Sequence, residues 1–118
     1  MDFSDNKPIY RQIVDFSVGR ILTGEWVPGN RIPSVRELAV ELAVNTHTVL
    51  KAFEFLQTES IIQPKRGMGF YLAEDALEKV NSLRRRDFFE TTLPALKAEM
   101  ELLGISPEEV AHFLTHGE

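Results

Sequence analysis

Apolar side chains recur every three or four positions along most of this 118-residue chain, a pattern that predicts a mainly helical protein. The spacing first appears in residues 8–23, where Pro8 suits the first helical position and Gly24 the position just past the helix end. Residues 26–29 contain a Pro-Gly pair and predict a turn. Residues 31–33 predict a short extended segment, because a residue that precedes proline avoids the α conformation.

Two closely spaced helices are predicted next. Ser34 and Glu37 have the spacing of a capping box, which opens a helix that we expect to end near Ala43. Asn45 is placed to cap the following helix, so only a tight turn separates the two, as a helix-turn-helix requires. The inward face of the second helix is predicted to consist of four apolar residues, Val49, Ala52, Phe53 and Leu56.

A small hairpin follows this pair of helices. Residues 61–64 and 70–72 predict two short strands around a glycine-rich turn at residues 65–69. The order of helix, turn, helix and hairpin is the plan of a winged helix-turn-helix, a module that places one helix in the DNA major groove.

The remaining residues are predicted to be helical. One helix covers about residues 74–90, a second begins near Thr92 and runs to about Leu103, and a capping box at Ser106 opens a last helix that ends near His116. The predicted fold is therefore mostly α with a small β wing, an N-terminal winged helix-turn-helix followed by a short helical element. The apolar positions of the first of these helices are Ala76 (or Leu77), Val80, Leu83 and Phe88.

Composition narrows the class of protein. A hydrophobic fraction of 43% and a charged fraction of 26% are ordinary for a soluble globular protein. No apolar run approaches the roughly 18 residues needed to span a membrane, and the start of the sequence lacks the features of a signal peptide, so we expect a cytoplasmic protein. The chain has no cysteine, which excludes disulfides and cysteine-ligated zinc.

The charge is unevenly distributed along the chain. The net charge is −5, yet residues 31–72 carry five basic and four acidic groups, whereas residues 73–118 carry five basic and ten acidic groups. Affinity for DNA depends on local potential rather than on the total charge. The acidic balance therefore leaves the predicted winged helix-turn-helix free to bind DNA, with modest non-specific affinity and strong salt sensitivity.

Polar residues at the exposed start of the second motif helix are the candidates for reading bases. Asn45, Thr46, His47 and Thr48 offer hydrogen-bond donors and acceptors of short or medium reach. Lys51 lies one helical turn further on and shares a face with His47. A simpler interpretation is that Asn45 and Thr46 only cap the helix.

Basic residues on both sides of that helix are candidates for contacts to the DNA backbone. Arg36 lies near the start of the preceding helix and is expected to reach a phosphate or a guanine. Lys65 and Arg66 at the hairpin tip are expected to enter a neighbouring groove, and Gly67 allows a sharp turn and a close approach of the backbone to DNA. The alternative is that this tip is only a solvated turn.

Together these motifs resemble the DNA-binding domain of the GntR family of bacterial transcription regulators, over residues 8–72. Many members have an arginine early in the recognition helix and another one turn later, where this chain has Thr46 and Leu50, so an arginine-based operator is not carried over. The matching elements are Pro28-Gly29, Arg31-Ile32-Pro33-Ser34, Arg36-Glu37-Leu38-Ala39, Val44, Thr48-Val49, Leu56 and Gly67-Met68-Gly69.

The short tail resembles that of the YtrA-like subfamily, in which a helical C-terminal element serves dimerisation. The resemblance implies a DNA-binding domain at residues 1–73 and a dimerisation domain at residues 74–118. It also implies a homodimeric regulator, a repressor, that binds double-stranded DNA at a pseudo-palindromic operator. Two or three short helices cannot enclose a typical ligand cavity unaided. No nucleophile–base pair, phosphate loop or dinucleotide motif is present, so we expect neither an enzyme nor a cofactor.

Other interpretations of the same residues stay open. The chain is alternatively a winged-helix module for protein interaction, or a regulator that senses an unknown small molecule in a groove between its C-terminal helices. His112 and His116 have a spacing that can bind a metal, although a solvated helix end is the simpler interpretation and no metal site is predicted. The basic run at residues 84–86 is expected to be a solvated face, and residues 88–89 are expected to belong to a dimer core.

Overall fold

The computed structural model describes residues 7–118 and has the mostly helical fold with a small β wing that the sequence predicts. A two-stranded antiparallel sheet pairs Ile62 with Leu72 and Lys65 with Gly69. The elements, in chain order, are α1 (Ile9–Leu22), α2 (Val35–Leu42), α3 (Thr46–Thr58), β1 (Ile62–Lys65), β2 (Gly69–Leu72), α4 (Ala76–Asp87), a π-helical stretch (Phe88–Thr92), α5 (Leu93–Leu103) and α6 (Pro107–His116).

Helix α3 is the centre of the first part of the fold, because it packs against α1, α2 and β1. Its predicted inward face is confirmed: Val49, Ala52, Phe53 and Leu56 are fully buried. The rings of Phe53 and Phe70 meet edge to face with 5.1 Å between their centroids, which attaches the hairpin to the helix. The helix that carries the candidate base-reading residues is therefore held along its whole inner side.

The two predicted caps of the helix-turn-helix are both present. The Ser34 hydroxyl accepts a hydrogen bond from the Glu37 backbone N–H, and the Glu37 carboxylate accepts one from the Ser34 backbone N–H, each at 3.1 Å. The Asn45 side-chain oxygen accepts from the His47 backbone N–H at 2.7 Å. Between the helices, Ala43 adopts a left-handed conformation with φ 55° that ends α2 as predicted.

The start of α1 differs from the prediction. Pro8 is the N-cap and not the first helical residue, because its ψ of 147° is extended rather than helical. Its carbonyl still accepts from the backbone N–H groups of Arg11 and Gln12. The end of the helix is as predicted, since Gly24 follows it with φ 80°.

The segment after α1 forms the predicted turn and then joins the hairpin. The Asn30 backbone N–H donates to the Val27 carbonyl at 3.0 Å, and Gly29 supplies the positive φ of 85° that this turn needs. The chain then runs beside β2 through an antiparallel bridge between Arg31 and Tyr71. The predicted extended segment at residues 31–33 thus forms an irregular third edge of the wing.

The C-terminal helices differ from the prediction at one junction. Helix α4 ends at Asp87 and continues into the π-helical stretch Phe88–Thr92 instead of running to about residue 90. Phe88 does not continue the buried face of Ala76, Val80 and Leu83 but is exposed, because each helical step turns the side chain by about 100° and five steps from Leu83 lead to a different side of the helix. Leu77, the alternative to Ala76, is also exposed. Helices α5 and α6, with the capping box at Ser106, are confirmed.

Residues 7–118 divide into two compact units, the first ending at Ser82 and the second consisting of Leu83–Glu118. The boundary lies inside α4. The assignment of separate roles to residues 1–73 and 74–118 stays a prediction, and its first six residues lie outside those that the structure describes. None of the helices in residues 7–118 combines the length and the apolar character required to cross a membrane.

Candidate nucleic-acid interface

The N-terminal turn of α3 presents polar side chains to solvent. Thr46 and His47 are exposed, and Thr48 is partly buried. Asn45 is exposed as well, but its side-chain oxygen already accepts a hydrogen bond from the His47 backbone N–H. The capping role that the sequence suggests for Asn45 is therefore confirmed. The inner face of α3 is buried in the core, so only the side chains on its outer side can hydrogen-bond to a binding partner.

The side chain of Lys51 is directed toward α1. Its ammonium is 4.3 Å from the centroid of the Tyr10 ring on α1, a cation–π contact. A second contact of this kind places the guanidinium of Arg11 4.4 Å from the Phe55 ring. Sequence analysis did not single out Tyr10, although an aromatic residue on an amphipathic helix that packs against α3 is a signal for such a contact.

Arg36 is exposed in the first turn of α2 and forms no ion pair with any residue in the described range 7–118. Arg20, another basic residue of this part of the fold, does form ion pairs. The Arg20 guanidinium joins α1 to α2 through an ion pair with Glu41 at 3.0 Å and also contacts Glu25 at 2.7 Å. Arg36 therefore remains available to an anion such as a phosphate, whereas Arg20 is committed to the fold.

Arg31 is a basic residue of the wing that sequence analysis used only as a family match. One of its guanidinium nitrogens lies 3.8 Å from a Glu37 carboxylate oxygen. The guanidinium also lies close to Gly69. A Cβ added to Gly69 would be only 3.1 Å from Arg31 Nε. The absence of a side chain at Gly69 thus makes room for this arginine against the hairpin.

The pKa of the Glu37 carboxyl group departs clearly from its ordinary value. Hydrogen bonds from the Ser34 backbone N–H and the Ser34 hydroxyl, and then the charge of Arg31, lower the pKa of its carboxyl group. The carboxylate therefore stays ionised while it completes the capping box. The capping box thereby fixes the start of α2, the helix that carries Arg36 in its first turn.

The wing tip is a tight turn closed by a hydrogen bond from the Met68 backbone N–H to the Lys65 carbonyl at 2.8 Å. Gly67 adopts a φ of 74° in this turn, and apart from its two neighbours nothing in residues 7–118 lies within 4 Å of the position that its Cβ would take. The Lys65 ammonium is folded back to 4.1 Å from the Tyr71 ring. The open tip consequently presents Arg66, Gly67 and Met68.

The other candidates from the sequence lie in the second unit. The rings of His112 and His116 stack at 4.4 Å, and His116 Nδ1 is 3.2 Å from the His112 carbonyl oxygen. No group of three potential metal-binding side chains occurs within residues 7–118. In the basic run, Arg85 lies 5.9 Å from the ring of Phe89, which is a weak contact at the surface.

The model of the gntR family of bacterial regulatory proteins matches residues 9–72, which hold the whole helix-turn-helix and wing. The HTH-type transcriptional repressor YtrA of Bacillus subtilis (strain 168) is 42% identical over 76 residues, which is 64% of this chain and 58% of that protein. The chain therefore spans less than two thirds of that relative. Both comparisons concern transcriptional regulators and not enzymes.

Solved structures extend the likeness to nearly the whole chain. A GntR family transcriptional regulator from Listeria monocytogenes has a TM-score of 0.75 and 37% identity, covering 96% of this chain and 97% of its own. The DNA-binding domain of AraR, solved in complex with its operator ORR3, has a TM-score of 0.56 and 26% identity over 62% of this chain and 88% of its own. About three fifths of this chain thus resembles a DNA-binding domain that has been solved in complex with its operator.

Proposed function

The chain belongs to the GntR family of DNA-binding transcription regulators, and from this premise we propose that it is a homodimeric repressor that binds a pseudo-palindromic operator. The observation that carries the proposal is the arrangement of α3. Its inner face is completely buried, while its first turn offers Thr46, His47 and Thr48 outward. A helix supported in this way can enter a major groove without rearranging the fold.

The proposed contacts divide into base reading and backbone positioning. Thr46, His47 and Thr48 would read base edges, because their donors and acceptors match those of the major groove. Asn45 would use the part of its amide that the cap leaves free, and Lys51 would contact a phosphate beside the groove. The residues proposed to hold the backbone or the neighbouring groove are Arg36, Lys65, Arg66 and Gly67.

The second unit supports the proposal of a homodimer through residues 74–118. No residue of α5 or α6 is buried in the described chain, although both helices carry large apolar side chains. Phe113 is 58% exposed and Leu114 is 76% exposed. Apolar faces of this kind are most simply covered by a second copy of the chain. A two-fold dimer would present two copies of α3 about one DNA turn (~34 Å) apart.

Repression would follow from occupancy of the operator. YtrA of Bacillus subtilis is itself a transcriptional repressor, which supports the same sign of regulation here. A dimer that covers two half-sites excludes other proteins from that DNA without needing a catalytic step. The DNA partner also supports the expected cytoplasmic location.

The test is genomic SELEX with the purified full chain, combined with light scattering behind size-exclusion chromatography. We expect one enriched motif with two inverted half-sites about 10 bp apart, and the mass of a dimer. Phe113→Glu should shift the mass to that of a monomer and weaken operator binding. Thr115→Glu, which adds the same charge at an exposed polar position, should leave both unchanged. A monomer that retains no duplex DNA at low salt would contradict the proposal and favour a protein-interaction module.

A further inference from the structure

Leu50 is an exposed apolar residue on the helix that the proposed function places in the major groove. Its side chain is 41% exposed, and it lies one helical turn after Thr46 and His47. We propose that Leu50 contacts the methyl group of a thymine and so makes this chain select a T·A pair at that position of each half-site. The inference rests on the proposed function and names a part of the operator that the function alone does not specify.

The position of Leu50 explains why it is not part of the core. The buried residues Val49, Ala52, Phe53 and Leu56 form one stripe at helical spacing. Each step along a helix turns the side chain by about 100°, so Leu50 falls to one side of this stripe. Leu50 lies on the same side of α3 as Thr46, four residues earlier. His47 lies next to that side, on the outer surface of the helix.

The neighbouring side chains leave this edge suited to thymine rather than to guanine. Guanine is read best by the fork of an arginine or by a lysine, and α3 contains no arginine. Its one lysine, Lys51, has its ammonium on the Tyr10 ring. The C5 methyl of thymine is the apolar group on the major-groove edges of the four standard base pairs. Leu50 is the large apolar side chain on the exposed surface of α3, and the two groups match.

The size of the effect follows from burial of one methyl group. Removing a buried methyl from an apolar contact changes a binding constant by about fourfold. Thr46 and His47 beside Leu50 can hydrogen-bond to the adenine of the same or the next pair. A polar contact and an apolar contact on one helix edge would together define a short A·T-containing step.

The experiment removes the methyl group from DNA and the side chain from the protein independently. Each thymine of the selected operator is replaced by deoxyuridine, one at a time and symmetrically in both half-sites, and the dissociation constant is measured by fluorescence anisotropy. For the unaltered protein we expect a loss of about fourfold per half-site at one or two thymines and no change at the others. With Leu50→Ala the same deoxyuridine substitution should cost nothing further.

Two additional variants make the result unambiguous. Leu22→Ala makes the same truncation at a leucine that is 45% exposed on α1, and it should retain the full sensitivity to deoxyuridine. Leu50→Gln keeps the length of the side chain without its apolar end, and it should lose that sensitivity while circular dichroism shows an unchanged helix content.

The outcomes separate this inference from the proposed function. If the unaltered protein binds no duplex, the proposed function fails and Leu50 has no thymine to contact. If it binds its operator but no deoxyuridine substitution weakens binding, the operator function stands and the thymine contact is wrong. The inference is equally wrong if Leu50→Ala and Leu50→Gln keep the same penalty for deoxyuridine as the unaltered protein.

Discussion

The ammonium of Lys51 on α3 lies 4.3 Å from the centroid of the Tyr10 ring on α1. The contact joins the helix proposed to read DNA to the first helix of the fold, across the α1–α3 packing. It also fixes the direction of the one cation that α3 carries. The side chain that would place positive charge beside the groove is therefore oriented by an aromatic residue on another helix, far from it in the sequence.

Removing this ring should destabilise the fold and weaken the positioning of Lys51. Tyr10→Leu should lower the free energy of unfolding by about 1 kcal/mol, because a cation–π contact at a partly exposed site contributes about that much. Tyr10→Phe keeps the ring face and should stay close to the unaltered protein. Urea denaturation checks both variants. In a double-mutant cycle with Lys51→Met, an interaction energy near zero would show that the contact does not stabilise the fold.

His47 is exposed in the first turn of α3, on the side of the helix away from its buried face. His47→Ala should cost about 1–3 kcal/mol of operator affinity and relax specificity at one or two base positions, if the contact to the base is direct. Binding to operators with single base changes measures this loss position by position. The matched control is His112→Ala in the second unit, which should change neither the affinity nor the specificity. An unchanged specificity profile for His47→Ala would show that this residue does not read bases.

Lys65 should affect binding in a different way, because it is proposed to contact the DNA backbone. Lys65→Ala should weaken binding uniformly across operator variants and reduce the slope of log K against log salt by about one. Affinity measured between low and moderate salt gives this slope directly. Lys97→Ala removes the same charge from α5 and serves as the control. A slope that is equal in the two variants would mean that Lys65 stays on the Tyr71 ring and does not meet DNA.

The capping box makes stability depend on pH in a predictable direction. The pKa of Glu37 in the folded chain lies below its ordinary value of 4.5, mainly because of its hydrogen bonds with Ser34. A depressed pKa contributes stability above 4.5, and that contribution is lost as the pH falls from 4.5 through the lower folded pKa. Glu37→Gln should therefore flatten the loss of thermal stability over this acidic range.

Ser34→Ala tests the other half of the same capping box. It should lower stability at neutral pH by about 1 kcal/mol, the usual effect of losing an N-cap. It should also flatten the acidic limb, because it removes one of the hydrogen bonds that depress the pKa of Glu37. An acidic limb as steep as that of the unaltered protein in both variants would contradict this account of the box.

Most of the fold follows from short-range patterns in the sequence. The buried stripe on α3, the caps at Ser34, Asn45 and Ser106, and the hairpin were all predicted correctly, with strand ends shifted by about one residue. Each depends on residues that are two to four positions apart or on one tight turn. The physical causes, helical periodicity and the satisfaction of terminal N–H groups, act within the same segment.

The exceptions within the fold have causes that local patterns do not record. The π-helical stretch Phe88–Thr92 replaces a simple break between two helices, although its sequence has no proline or glycine to mark it. Pro8 is compatible with both the N-cap and the first helical position, and only its observed ψ distinguishes the two. In both places the sequence indicates a helix, and the backbone selects between two allowed ways of forming it.

The sequence by itself determined which residues form the helix-turn-helix and wing, and hence which helix is offered to DNA. Only the tertiary structure decided where the charged side chains on that surface point. Lys51 turns to Tyr10, Lys65 turns to Tyr71, and Arg36 remains without an ion pair among residues 7–118. The reason is physical: a helix is determined by neighbours along the chain, whereas a flexible side chain takes its direction from whichever ring or carboxylate the folded chain brings beside it.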